Sequence, residues 1–203
     1  MTELSDSPQI TYRLGLPEAH RQTAAELYGQ AFERKLVPLL GRARMTALLA
    51  HALDPSFAFA ALQGGQLLGV AGFQLVSGGF VCLKRHHFRQ LYPPIVGELR
   101  YQAARTLERP HEPGTLLMDG IAVASAARGR GVGTGLLGAI KGYAAERGFG
   151  RVRLDVVNTN PKARRLYERL GFEAVDTQDL TLLRSILGFS AVTTMVWRVG
   201  TEA

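Results

Sequence analysis

The stretch between residues 115 and 172 constrains the fold more than any other part of the chain. TLLMDGIAV (Thr115 to Val123) is apolar enough for a buried strand, and RGRGVG (Arg128 to Gly133) is a glycine-rich turn. From Thr134 to Arg147 the residues Leu136, Leu137, Ile140, Tyr143 and Ala144 recur at helical spacing. A second strand containing Arg151 and Arg153 follows, then NPKARRLYERLGF (Asn160 to Phe172). Strands that alternate with helices require an α/β sheet. Glycines at 129, 131, 133 and 135 let backbone approach a ligand closely. A helix that opens there presents unpaired amides, so the turn is expected to hold an anion.

Two nucleotide motifs compete for the same glycines. Gly133 to Gly138 has P-loop spacing, but Ala139 and Ile140 stand where Lys and Ser or Thr belong, so no lysine reaches the phosphates. Gly133, Gly135 and Gly138 spell GxGxxG, with Asp155 near the place of a ribose-binding acid. In a dinucleotide fold the first glycine directly follows the strand. Here Ala124 to Val132 intervene and Gly138 falls inside the helix, which disfavours that reading.

The surroundings of the turn match a different pattern. Arg128, Gly131 and Gly133 fit Gln or Arg, two residues, Gly, one residue, Gly or Ala; Asn160, Ala163, Tyr167, Gly171 and Phe172 fit a downstream Asn, Ala, Tyr, Gly-Phe pattern. On these two motifs the chain resembles the GNAT superfamily of acyl-CoA-dependent N-acyltransferases. The resemblance implies that Arg128, Gly129, Arg130, Gly131, Val132, Gly133 and Thr134 cradle the pyrophosphate of coenzyme A. It implies that Ile121, Ala122 and Val123 pair with the pantetheine arm, that Asn160 and Ala163 approach the coenzyme, and that Tyr167 stands near the sulfur as general acid. From helical spacing alone Tyr167 fits a core aromatic equally well. The resemblance implies acetyl-CoA as acyl donor, an amine as acceptor and direct transfer in a ternary complex. A noncatalytic acyl-CoA sensor or interaction module is the alternative.

Asp119 is the only carboxylate in the 115–123 strand. A buried acid must be paired or shifted in pKa, which makes Asp119 a candidate general base, directly or through water. The competing reading is a carboxylate bonded to nearby backbone at Gly120. Strict alternation places it on one face with Ile121 and Val123. His86 and His87 are adjacent, lack a second ligand cluster and are expected to diverge at the surface; no metal is expected. Cys82 is expected to be a small buried side chain, and Asn158 either to contact the coenzyme or to end its strand.

At 203 residues the expectation is one domain spanning 1–203. A hydrophobic fraction of 46% against 20% charged is that of a folded globular chain. A lone cysteine, no signal-peptide pattern and no apolar run of roughly 20 residues point to a reducing, cytoplasmic setting away from membranes. The net charge of +7 invites nucleic acid, but the arginines are scattered over what read as solvated faces, and a basic surface that steers the anionic coenzyme is the reading between the two.

Around the motif the order is a strand at ITYRL, helices through AAELYGQAFERKL and Ala43 to Leu53, a hairpin from FAFAALQ through Gly64-Gly65, and a terminal strand pair. This implies a GNAT-like mixed, largely antiparallel sheet flanked by helices. The departure is an insertion at about 76–114, expected to form two helices broken at Pro93 and Pro94. Such length suits an acceptor-side wall in which Lys84, Arg85 and Arg89 meet an anionic group and Tyr92 or Tyr101 supplies an apolar surface. A homodimer surface is its alternative use, and the acceptor site then falls to Tyr28, Phe32 and residues 180–189.

Overall fold

The computed structural model describes residues 9–105, 109–184 and 188–200. Eight strands form a sheet in the order β1 (Thr11–Leu14), β2 (Ala58–Gln63), β3 (Gln66–Leu75), β5 (Thr115–Val123), β6 (Arg151–Val157), β8 (Ala191–Arg198) and β7 (Glu173–Asp179), with β4 (Gly78–Gly79) paired beside β3. Every pairing is antiparallel except β5 with β6. The expected mixed, largely antiparallel sheet is therefore present. The β2–β3 turn is closed by Gly64 and Gly65 at φ 55° and 79°, a left-handed pair that a two-residue hairpin requires.

Helices cover both faces. On one lie α1 (Arg21–Ala31), α2 (Glu33–Leu40), α3 (Arg42–Ala52), α4 (Arg85–Leu91) and α5 (Pro94–Arg105); on the other lie α6 (Val132–Glu146) and α7 (Pro161–Arg169). The first core is built on Leu40, Leu48, Leu49, Phe80 and Phe88, the second on Phe73, Leu116, Met118, Leu136, Leu137 and Ile140. Truncating any of these to Ala costs about 2–5 kcal/mol through lost transfer energy and the cavity left behind.

The 76–114 insertion does form two helices, meeting at Pro93 and Pro94, but it is no loose flap. Phe88, Tyr92 and Ala104 are buried in the first core, the Tyr92 hydroxyl donates to the Leu40 carbonyl, and Arg100 donates to the Leu39 carbonyl at 2.7 Å. No helix among the described residues is long and apolar enough to cross a membrane.

One irregularity in β5 decides which side chains meet. Its pairing with β3 shifts register between Gly72 and Phe73, opposite Asp119 and Gly120. Leu116 and Met118 lie in the second core, as do Ile121 and Val123 beyond the shift, whereas Ala122 lies in the first. The bulge inserts one residue and inverts the alternation. Asp119 consequently faces α1 and α2, not the face of Ile121 and Val123 that strict alternation predicts.

Candidate active site

β5 and β6 are hydrogen-bonded only through Thr115, Leu116 and Leu117 opposite Arg151, Val152 and Arg153. Beyond these residues they part, β5 held by β3 on its outer side and β6 by β8. Arg109, at the end of the insertion, sits at the fork. Its guanidinium donates to Asp155 Oδ2 on β6 at 2.8 Å and to the Met118 carbonyl on β5 at 3.0 Å, and lies 4.0 Å from Asp119 Oδ1. A planar guanidinium can bond both strands at once, which suits it to hold them apart at a set spacing.

On the α6 side of the fork the chain builds an anion cradle. Gly129 and Gly131 both have φ of +79°, with no atom within 4 Å of an added Cβ; backbone conformation, not crowding, calls for glycine there. The helix begins at Val132, two residues before the sequence expectation, and its first bond runs from the Gly135 amide to the Gly131 carbonyl at 2.9 Å. No side chain caps it, so the amides of Val132, Gly133 and Thr134 point out of the helix end toward whatever the turn holds. Arg128 is exposed there, and Arg130 donates to Gln63 across the turn. Donors and glycine-shaped backbone together fit a pyrophosphate.

On the opposite face lies a cavity of about 320 Å³, lined by Tyr28, Phe32, Lys35, Leu36, Gln74, Arg109, His111, Asp119 and residues 75–83 in part. Asp119 is 5% exposed at its side chain; Oδ1 accepts from Gln74 and Oδ2 from the Val81 amide at 3.1 Å. Burial is the largest influence on its carboxyl and pushes its pKa up, against the Val81 amide, Arg109, Gln74 and Lys35. The Tyr28 hydroxyl donates to the Asp119 carbonyl at 3.0 Å and is held protonated by burial, with the Asp119 charge adding to the effect. Burial pushes the Lys35 ammonium down, Arg109 pushes the same way, and Asp155 and Asp119 oppose.

Tyr167 is the only buried residue of α7, whose start is fixed by the Asn160 side chain accepting from the Ala163 amide at 3.2 Å, with Pro161 in the first turn. Gly171 at φ +79° ends the segment. The ring packs in the second core, 6.0 Å from Phe172. Burial pushes its phenol up to about 12. The fork thus lies between the cradle and Tyr167 on one face and Asp119 with Tyr28 on the other.

Several expected placements differ. His87 is 8% exposed, not superficial: its Nδ1 accepts from the Lys84 amide at 3.2 Å, capping α4. The two imidazoles do not diverge; their centroids lie 4.1 Å apart, edge to face. Cys82 is half-buried at the cavity wall. Asn158 takes the second of its two expected roles and ends β6, accepting from the Ser190 and Ala191 amides. Arg151 and Arg153 both bond Glu112, at 2.6 and 2.7 Å, Arg151 at the solvated surface as expected and Arg153 more deeply set at 20% exposed.

The insertion lends its ends to the cavity, but not the residues singled out from sequence. Arg85 and Arg89 line a separate outer groove with Ile95, Glu98 and Leu99, while Tyr92 and Tyr101 pack on Phe88. Within 180–189, residues 185–187 lie outside the described residues. Tyr28 and Phe32 do line the cavity. Lys35, Gln74, Arg109 and His111 went unrecognised in the sequence. Lys35 alone left a trace, standing seven residues after Tyr28 and three after Phe32 on what reads as an inward helical stripe.

Comparison with known proteins gives the frame for this geometry. The family model described as "Acetyltransferase (GNAT) family" matches residues 20–172, and no curated protein sequence matches significantly. Among solved structures, the ribosomal-protein-S18-alanine N-acetyltransferase from Escherichia coli shares 16% identity over 96% of this chain and 97% of its own, at a TM-score of 0.60. A GCN5-related N-acetyltransferase from Kribbella flavida shares 21% identity over 93% and 97%, TM-score 0.59. yncA from Salmonella typhimurium, solved with its cofactor acetyl-CoA, shares 17% over 96% and 96%, TM-score 0.60. These likenesses establish a common fold, and the family model covers well over half the chain. The chain belongs to the GNAT acetyltransferase family and is an acyltransferase enzyme.

Proposed function

We propose that the chain transfers an acetyl group from acetyl-CoA to a primary amine by direct transfer in a ternary complex. One observation carries this reading: β5 and β6 part so that the α6 amide cradle opens on one face of the sheet and the Asp119 cavity on the other. Coenzyme and acceptor thus have separate entrances to one gap. When bound, acetyl-CoA supplies the acetyl group as an activated thioester.

The chain's own groups do the rest. Amides of Gly129 to Thr134 hold the pyrophosphate, with Arg128 and Arg130 adding charge. Backbone of Ile121, Ala122 and Val123 aligns the pantetheine arm and polarises the thioester carbonyl. Asn160 and Ala163 act by fixing the start of α7, and so the place of Tyr167. Asp119, whose carboxyl is raised by burial yet keeps unshared lone pairs, accepts the proton of the attacking amine, directly or through water. Tyr167 remains protonated throughout the neutral range and donates a hydrogen bond to the departing thiolate. With its pKa at about 12, above that of a thiol, it shares its proton in the transition state and does not surrender it early.

Thiol release from acetyl-CoA tests the assignment. Tyr167→Phe is expected to lower turnover by roughly a hundredfold while leaving coenzyme affinity nearly intact. Normal turnover in the folded variant would reduce Tyr167 to packing.

A further inference from the structure

The charges around the Asp119 cavity are uneven. Arg109 and Asp155 satisfy one another at 2.8 Å, and Glu112 takes both Arg151 and Arg153. Asp119 is bonded by Gln74 and the Val81 amide, and the cation closest to it is Arg109 at 4.0 Å. Lys35 lines the same space, and among the described residues its ammonium has no hydrogen bond and no ion pair within 4.0 Å. Its charge and that of Arg109 disfavour each other. Two cationic side chains therefore border one half-open space, with His111 beside them. Asp155 and Asp119 offset part of that repulsion, but Asp155 is taken up by Arg109 and Asp119 by Gln74 and the Val81 amide, which leaves the Lys35 ammonium without a carboxylate within 4.0 Å and open to one from a ligand.

Size narrows the choice. A cavity of about 320 Å³ lies at the small end of ligand sites, which run from roughly 300 to 1,000 Å³. The second ammonium of a polyamine would confront Lys35 and Arg109. We propose that the acceptor is a small amine that also carries a carboxylate, an amino acid or a molecule of that size and charge, with its carboxylate at Lys35 and Arg109 and its amine at Asp119. Phe32, Leu36 and Leu83 then face its side chain. The amine nitrogen bonds to the acetyl carbon as the carbon–sulfur bond breaks; the nitrogen's proton passes to Asp119, the thiolate takes a proton from Tyr167, and Asp119 returns one proton to solvent as Tyr167 regains one, giving an N-acetylated carboxylate and free coenzyme A.

This inference rests on the acetyl-transfer reading, and its test separates the two. Thiol release is measured with α-amino acids, their carboxamides and the corresponding decarboxylated amines. Calorimetry of the same compounds against coenzyme A-saturated protein reads binding where turnover is absent. The expected result is a preference for the amino acids of about tenfold or more in kcat/KM. Lys35→Gln should abolish that preference through KM, and Lys35→Arg should restore part of it. The proposal is overturned if carboxamides or decarboxylated amines serve as well as the amino acids, if no amino acid binds or turns over, or if Lys35→Gln keeps the preference. Failure of the wild-type chain to bind acetyl-CoA in the same calorimeter would instead sink the acetyl-transfer reading, on which the proposal depends.

Discussion

Replacing Arg109 by Met keeps much of the side-chain volume and removes the charge that spans the fork. Three interactions go: the 2.8 Å bond to Asp155, the 3.0 Å bond to the Met118 carbonyl and the 4.0 Å approach to Asp119. Breaking a fully buried ion pair from one side costs about 3–5 kcal/mol, because the other charge is left uncompensated. Here Arg109 and Asp155 are 19% and 18% exposed, and Asp155 keeps the Thr194 hydroxyl at 2.9 Å and Arg153 at 3.7 Å. The expected loss is therefore nearer to about 2–3 kcal/mol, which for a chain of this size lowers Tm by about 5–10 °C.

The pH dependence of that loss identifies its origin. Burial already holds the Asp119 carboxyl above its ordinary range, and Arg109 is one of the groups that pulls it down; without Arg109 it rises further. A carboxyl raised on folding contributes stability when protonated and loses that contribution as pH rises through the folded pKa. The deficit of Arg109→Met should accordingly be largest near neutral pH and shrink on acidification. Thermal unfolding followed by circular dichroism at pH 7.5 and pH 5 measures both. An unchanged Tm would show that Arg109 does not brace the fork, and an equal deficit at the two pH values would assign it to packing.

Other perturbations probe the cradle and the insertion. Valine at both Gly131 and Gly133 should abolish coenzyme A binding, because Gly131 has φ +79° and a Cβ at Gly133 comes 3.3 Å from Leu166 Cδ2; unchanged calorimetric affinity in a folded double variant would refute the placement. His87, whose pKa burial lowers from 6.5 to about 4, contributes stability above pH 6.5 that is lost as pH falls toward about 4. His87→Asn should flatten that acid limb in urea titrations, and an acid limb as steep as in the wild type would count against a buried neutral imidazole.

The parts legible in the sequence are those whose causes lie within a few residues. Asn160, Pro161 and Gly171 delimit α7, Gly64-Gly65 turns a hairpin, and the RGRGVG glycines precede an uncapped helix, because capping, left-handed φ and helix-end amides depend on near neighbours. The alternating strands and helices likewise determined the α/β class and the two-motif likeness to acetyltransferases. What the tertiary structure decided depends on pairing between distant segments. The bulge that turns Asp119 away from Ile121 and Val123 exists only in the register of β5 against β3. The insertion, which by length alone resembles a lid, became a wall of the core because Phe88, Tyr92 and Ala104 found partners on α2, α3 and the sheet, and that packing buried His87 with them. Lys35, Gln74 and Arg109 lie far apart along the chain and outside any motif, yet they border one cavity with Asp119, which its place in the β5 strand had already marked. Each is an unremarkable polar residue until burial removes the water around it, and burial is a property of the assembled sheet and helices.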